Sequence, residues 1–228
     1  MVSPINIKLG DRYTVDTTNL MVRTDLPLRR SIPAGIDAYV LGYVIAVGAT
    51  VGGVGAVTRI EMTGLYRDPT PLGGLLATTP SEWVVGGWLF YDAHLIPTSL
   101  PTADVGAGMA RLTNRHLLLD LGGPLFALYL LPPLVLIATG YLVARVGETY
   151  GARGDTFAGA SVAAGYGPLV ILSAFLLTAE AGLAGVVASP VGLQSVFLGI
   201  GYPLVFGAIG GTIADYREYR ESASATDV

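Results

Sequence analysis

LGGPLFALYLLPPLVLIATGYLVA, residues 121–144, runs for 24 residues without a charged side chain. About 20 apolar residues carry a helix across the hydrocarbon core of a bilayer, so this stretch reads as a membrane span. Three more windows of the same kind lie around it: 38–58 (21 residues between Asp37 and Arg59), 156–179 (24 residues) and 181–214 (34 residues). The Ser189-Pro190 pair breaks the last window as a turn and leaves 191–214 as its helix. The expected fold is therefore an all-α membrane protein, four transmembrane helices in a bundle. Its parts are an N-terminal segment 1–31, spans over 32–58, 118–145, 155–180 and 190–214, an outer loop 59–117 and a tail 215–228.

Composition points the same way. Of the 228 residues, 52% are hydrophobic and only 13% charged, about half the charged share of an ordinary soluble domain. That balance excludes an ordinary cytosolic enzyme. The lack of cysteine excludes a disulfide scaffold and any cysteine-ligated metal site. A net charge of −4 with a single lysine argues against nucleic acid as a partner.

Charge placement sets the orientation. With four spans, Lys8, Arg12, Arg23, Arg29, Arg30, Arg145, Arg153, Arg217 and Arg220 share one side, against Arg59, Arg67, Arg111 and Arg115 on the other. Nine against four satisfies the positive-inside rule and puts both termini in the cytoplasm, in the cell membrane. A fifth span would split the cations seven to six, which is no preference. The N-terminal 31 residues are polar and interrupted, unlike a cleavable signal, so the first span is expected to act as an uncleaved anchor.

The fifth candidate, WVVGGWLFYDAHL (83–95), has only nine uncharged residues before Asp92 and His94. It is too short to span and reads as an interfacial or re-entrant segment, its helix or strand character left open. Trp83, Trp88 and Tyr91 suit the headgroup level.

Three spans carry proline at mid-window: Pro132-Pro133, Pro168 and Pro203. Each removes a helical hydrogen bond, so kinks are expected there, and the freed carbonyl needs a partner other than lipid. Tyr129, Tyr166 and Tyr202 lie beside these prolines. They are candidates either to bond the freed carbonyls or to line a central cavity with Pro132, Pro133, Pro168 and Pro203. SVAAGYGPLV (161–170) and SVFLGIGYPLV (195–205) look alike, sharing S-V, two glycines and P-L-V around one inserted residue, the pattern of an inverted pair or of chance likeness between two small-residue helices. Small residues recur four apart at Gly48/Gly52, Gly159/Ala163/Gly167 and Gly207/Gly211, which marks close helix packing within the bundle or, through Gly48 and Gly52, a homo-oligomer.

Chemistry-bearing residues are sparse. No ionisable group is expected at mid-depth, since Asp37 and Asp120 read as helix starts and Glu180 as an outer turn. Asp92, His94, His116 and Asp120 are residue types that bind divalent metals, but the wide gap between the histidines gives no ligand spacing, so no metal is assigned. A second candidate site, for a ligand at the outer loop, comprises Trp83, Trp88, Tyr91, Asp92 and His94. There is no phosphate-binding glycine motif and no catalytic constellation, so neither enzyme activity nor a cofactor is expected.

The patches LPLRRSIPAGIDAYVLGYV (26–44) and GWLFYDAHLI (87–96) resemble an uncharacterised haloarchaeal family of multi-pass membrane proteins, with a G-W-x-F-Y-x-A-H element in the first outer loop. Members of that family are sometimes loosely labelled transporters; the resemblance carries no catalytic residues with it. Two functions follow from the residues: a non-enzymatic membrane component (scaffold or accessory subunit), and a small-solute or ion permease working at the proline breaks. A membrane sensor that binds ligand through its outer loop is the third.

Overall fold

The computed structural model describes residues 28–65, 67–109, 111–146, 152–182 and 185–226. Most of the N-terminal segment, with Lys8, Arg12 and Arg23, lies outside them. The described chain is mostly helical, and four stretches are long and apolar enough to cross a membrane: Leu28–Ala49, Gly123–Val146, Gly154–Ala174 and Gly192–Arg217. The chain is a membrane protein by this measure, and apolar flanks of this kind fit a lipid bilayer.

The first helix, α1 (Leu28–Ala49), starts before the uncharged window and ends before it. Arg29 and Arg30 are helical, and Asp37 lies mid-helix rather than at a helix start. The far end is set by glycine: Gly52 takes a φ of +79°, and the chain turns into a separate short helix, α2 (Val54–Thr58). Residues 50–58 therefore do not continue the span.

The outer segment after α2 is folded against the bundle. A two-stranded ribbon, β1 (Glu61–Met62) with β2 (Thr70–Pro71), is followed by α3 (Glu82–Ala93). The 83–95 segment is thus a helix. Its rings do not sit out at a headgroup surface as the sequence suggests: Trp88, Phe90 and Tyr91 are at most 1% exposed, and only Trp83 is open. Apolar area removed from contact with solvent and lipid is what a segment too short to span has to offer the fold, and here it packs on protein.

The helix α3 runs antiparallel along α1. Tyr43 donates to the Trp83 carbonyl at 2.7 Å, Gly86 lies against Val47, and the Phe90 ring meets Gly42 and the edge of Tyr39. Beyond it, β3 (Thr98–Pro101) pairs with β4 (Leu112–Arg115). After a short helix, α4 (Leu117–Leu121), the chain enters the second span.

That span is not one α-helix. Gly123–Leu130 is a 3-10 stretch, and α5 (Leu131–Val146) begins one residue before Pro132-Pro133. The two prolines therefore occupy the first turn of a helix, where the missing N–H groups would have no intrahelical partner in any case. The third span is likewise divided, into α6 (Ala152–Ala160) and α7 (Ala163–Ala174), with a break at Ser161-Val162 and Pro168 inside α7.

A second outer connection contributes β5 (Ala179–Glu180) and β6 (Val187–Pro190). These join β3 and β4 in an antiparallel sheet of order β4-β3-β6-β5. Ser189-Pro190 is therefore strand, not turn: Ser99 faces Ser189 and Thr98 faces Pro190, the proline closing the strand end, where its absent N–H is tolerated. The last helix, α8 (Gly192–Thr226), carries Pro203 inside it.

Glycine decides how the spans meet. A Cβ on Gly207 would stand well inside contact distance of the Gly159 carbonyl oxygen, and one on Gly140 equally close to that of Gly207, so α5, α6 and α8 touch backbone to backbone. Gly211 approaches the Asp155 carbonyl in the same way, and Gly35 that of Val162. Close approach through small residues is what holds helices together where lipid is as apolar as the side chains. Gly48 and Gly52 take no part: nothing lies within 4 Å of a Cβ built on either. One core of buried side chains runs from the bundle into the outer segment.

Candidate functional site

The last turn of α3 places Tyr91, Asp92 and His94 in three different directions, about 100° per residue apart. Tyr91 donates to the Val170 carbonyl and lies 2.8 Å from the Ser173 hydroxyl, which also accepts from Tyr39 at 2.6 Å. Trp88, one turn earlier, donates to the Leu177 carbonyl at 2.9 Å. These bonds fasten α3 to α7 and α1, and they account for Trp88 and Tyr91 as fixtures of the fold.

His94 turns into the bundle. Its Nδ1 lies 2.7 Å from the Phe90 carbonyl, an acceptor, so Nδ1 carries the proton and donates. Nε2 then accepts from the Tyr166 hydroxyl at 2.7 Å. The imidazole is 1% exposed, and burial pushes its pKa down to about 4, the Phe90 carbonyl only partly opposing it. Tyr166 and Tyr202, from the two similar segments, both lie near this ring, with centroids 5.8 and 5.2 Å away. The interior of the described bundle therefore does hold an ionisable group, delivered by the outer segment rather than by a span.

Asp92 turns the other way, toward α4. Its carboxylate accepts from His116 Nδ1 at 2.5 Å and from the Leu118 N–H at 2.6 Å. The carboxylate is fully buried; desolvation pushes its pKa up, and the Leu118 and His116 donors pull it back. The Asp92 carboxylate behind Nδ1 fixes the orientation of the His116 ring. His116 is 37% exposed and forms part of the wall of an open hollow of ≈ 450 Å³, with Leu95, Leu119, Phe126, Tyr129 and Tyr202. Here a chemically organised pair meets a concavity, and His116 was in neither candidate site of the sequence.

The metal-type residues are dispersed. Asp120 accepts from both Nε and Nη2 of Arg115, His94 is taken by Tyr166, and among the described residues no three His, Asp or Glu side chains converge. The outer-loop set of Trp83, Trp88, Tyr91, Asp92 and His94 thus shares a helix without sharing a pocket. The central set is also split. Tyr129 and Tyr202 line the hollow, Tyr166 is closed off behind His94, Pro132 and Pro203 are buried, Pro133 is half-buried, and Pro168 faces outward. Tyr166 bonds a histidine rather than a freed proline carbonyl.

A family model matches residues 12–218, nearly the whole chain. The chain belongs to the DUF7978 family, a family of unknown function. No curated protein and no solved structure matches it. Membership of DUF7978 thus brings no activity or ligand to the residues above, and the Asp92–His116 pair and the His94–Tyr166 bond have to be read from their geometry.

Proposed function

We propose that the protein is a non-enzymatic component of the cell membrane, an accessory subunit or scaffold with both termini in the cytoplasm, rather than a conduit. The observation that carries this reading is the backbone-to-backbone meeting of Gly140, Gly159 and Gly207. A carrier of the permease kind needs a wet path or a shared central site, and helices in contact at their backbones leave no width for either at that level. The outward-facing Pro168 and the closed-off Tyr166 withdraw two of the groups that a proline-centred site would use. On this reading α3 is a re-entrant helix, entering from the outer side beside α1 and reaching the level of Tyr166 and Tyr202.

Proteoliposomes containing the purified protein test the proposal. Fluxes of monovalent ions and small neutral solutes are expected to equal those of protein-free vesicles, and saturable uptake of any of them would overturn it. Recognition of a ligand from the outer side is the second reading, and it is favoured by one observation, the half-buried His116 backed by Asp92 in the hollow.

A further inference from the structure

Asp37 stands at the wrong place for a carboxylate that has no partner among the described residues. It is the tenth residue of the 22-residue α1, which puts it roughly 13 Å along the helix from Leu28 and about 18 Å from Ala49. With a hydrocarbon core about 30 Å thick, that is mid-depth. The inward face of α1 is formed by Ser31, Gly35, Ala38, Tyr39, Gly42 and Ala46. Asp37 lies nearly opposite their mean direction and is exposed. Among the described residues no hydrogen bond or ion pair reaches it. Charged side chains inside a membrane are expensive, and they persist where they pair with another group.

We infer that the outward face of α1 docks a transmembrane helix of a different protein that presents a basic side chain at the depth of Asp37. This rests on the accessory-subunit reading and names the partner's chemistry. Val44 and Gly48 lie 7 and 11 residues after Asp37, on the same side of the helix, and both are exposed. Open space around Gly48 lets a second helix approach closely, so that a side chain on it reaches the carboxylate. A second copy of the chain does not complete this face. The cations of its described candidate spans, Arg29, Arg30, Arg145 and Arg217, all sit at span ends. A copy in the same orientation would bring carboxylate to carboxylate.

The test uses the full chain with a donor fluorophore on a single cysteine introduced by Ser222→Cys. It is reconstituted in phosphatidylcholine vesicles with acceptor-labelled polyleucine helices that carry either Arg or Leu at the centre. Energy transfer to the Arg helix is expected at an acceptor mole fraction at least ten-fold lower than for the Leu helix. Asp37→Leu is expected to abolish the difference, and Gly48→Ile to weaken it several-fold with Asp37 in place. Equal transfer to the two helices would overturn the inference, as would Asp37-dependent association between donor- and acceptor-labelled copies of the protein without any added helix. Gel-filtration elution and helicity of each variant, matched to the parent chain, exclude misfolding as the cause of a loss. Solute flux in the same vesicles reports on the closed bundle separately: flux with Arg selectivity overturns only the accessory reading's premise, and no flux without selectivity overturns only the docking face.

Discussion

His94 couples the acid–base state of one side chain to the joint between α3 and α7. Its pKa in the fold, about 4, lies below the ordinary 6.5, so as pH falls the unfolded chain takes up this proton first. The contribution is therefore whole above pH 6.5 and is lost progressively as pH drops toward 4, below which this group takes nothing more. The size of the loss is about 3 kcal/mol by linkage. Thermal unfolding in detergent between pH 7 and 4 is expected to show this slope in the parent protein, and His94→Phe is expected to flatten the His94 share of it. At pH 7 the bond itself is tested by Tyr166→Phe. That change strands Nε2 of a buried imidazole, which costs about 1–3 kcal/mol for an unsatisfied group. The double variant His94→Phe/Tyr166→Phe removes donor and acceptor together and is expected to be more stable than the sum of the single losses predicts. Strict additivity in that cycle would show that the two side chains do not act as a pair. None of this was legible in the sequence, where His94 reads as a loop residue two positions from Asp92; the side chain's direction depends on where α3 packs.

The helices differ in how much of their glycine is structural. Gly207→Ala would place a methyl against the Gly159 backbone, which cannot move as a flexible side chain can, and forced overpacking of this kind costs about 1–3 kcal/mol. Gly48→Ala adds a methyl to open space within α1, where alanine is the better helix former by up to about 1 kcal/mol. Urea or heat titration in micelles is expected to rank the two on opposite sides of the parent; a tolerated Gly207→Ala would mean that α6 and α8 do not meet backbone to backbone. At this scale the sequence is informative in part. Spacing of four picks out Gly159, Gly207 and Gly211, but it picks out Gly48 and Gly52 equally, because periodicity gives a face and not what covers it. Helix limits show the same division. Long charge-free windows find four spans, whereas the end of α1 depends on the left-handed Gly52 and on Arg29 and Arg30 being admitted to the helix, so counting uncharged residues shifts that span toward the C-terminus. The strands of the outer sheet are at most four residues each and pair across the chain, β3 with β6, which no local pattern announces.

For the whole molecule, the property on which most depends is which end of the bundle faces the cytoplasm. An even number of spans puts both ends of the described chain on one side, and the sheet built from the first and third connections lies on the other. At the first of these ends, Arg145 and Arg217 both donate to the Tyr141 hydroxyl, at 2.9 and 3.4 Å, while exposed Tyr216 and Tyr219 flank Arg217 on α8. Arginine with interfacial tyrosine is the composition expected at the headgroups of the cytoplasmic leaflet. At the other end the paired charges, Arg115 with Asp120 and Arg111 with Asp104, are largely neutralised by each other, so they give the opposite face little net positive charge. Cysteine is absent from the chain, which makes single-cysteine accessibility clean. Thr78→Cys, in the outer segment, is expected to react with a membrane-impermeant maleimide on intact cells, and Ser222→Cys only after the membrane is opened. The reverse pattern would invert the molecule. Labelling of both positions on intact cells would remove one of the four spans, and with it the requirement that Asp37 lie at mid-depth.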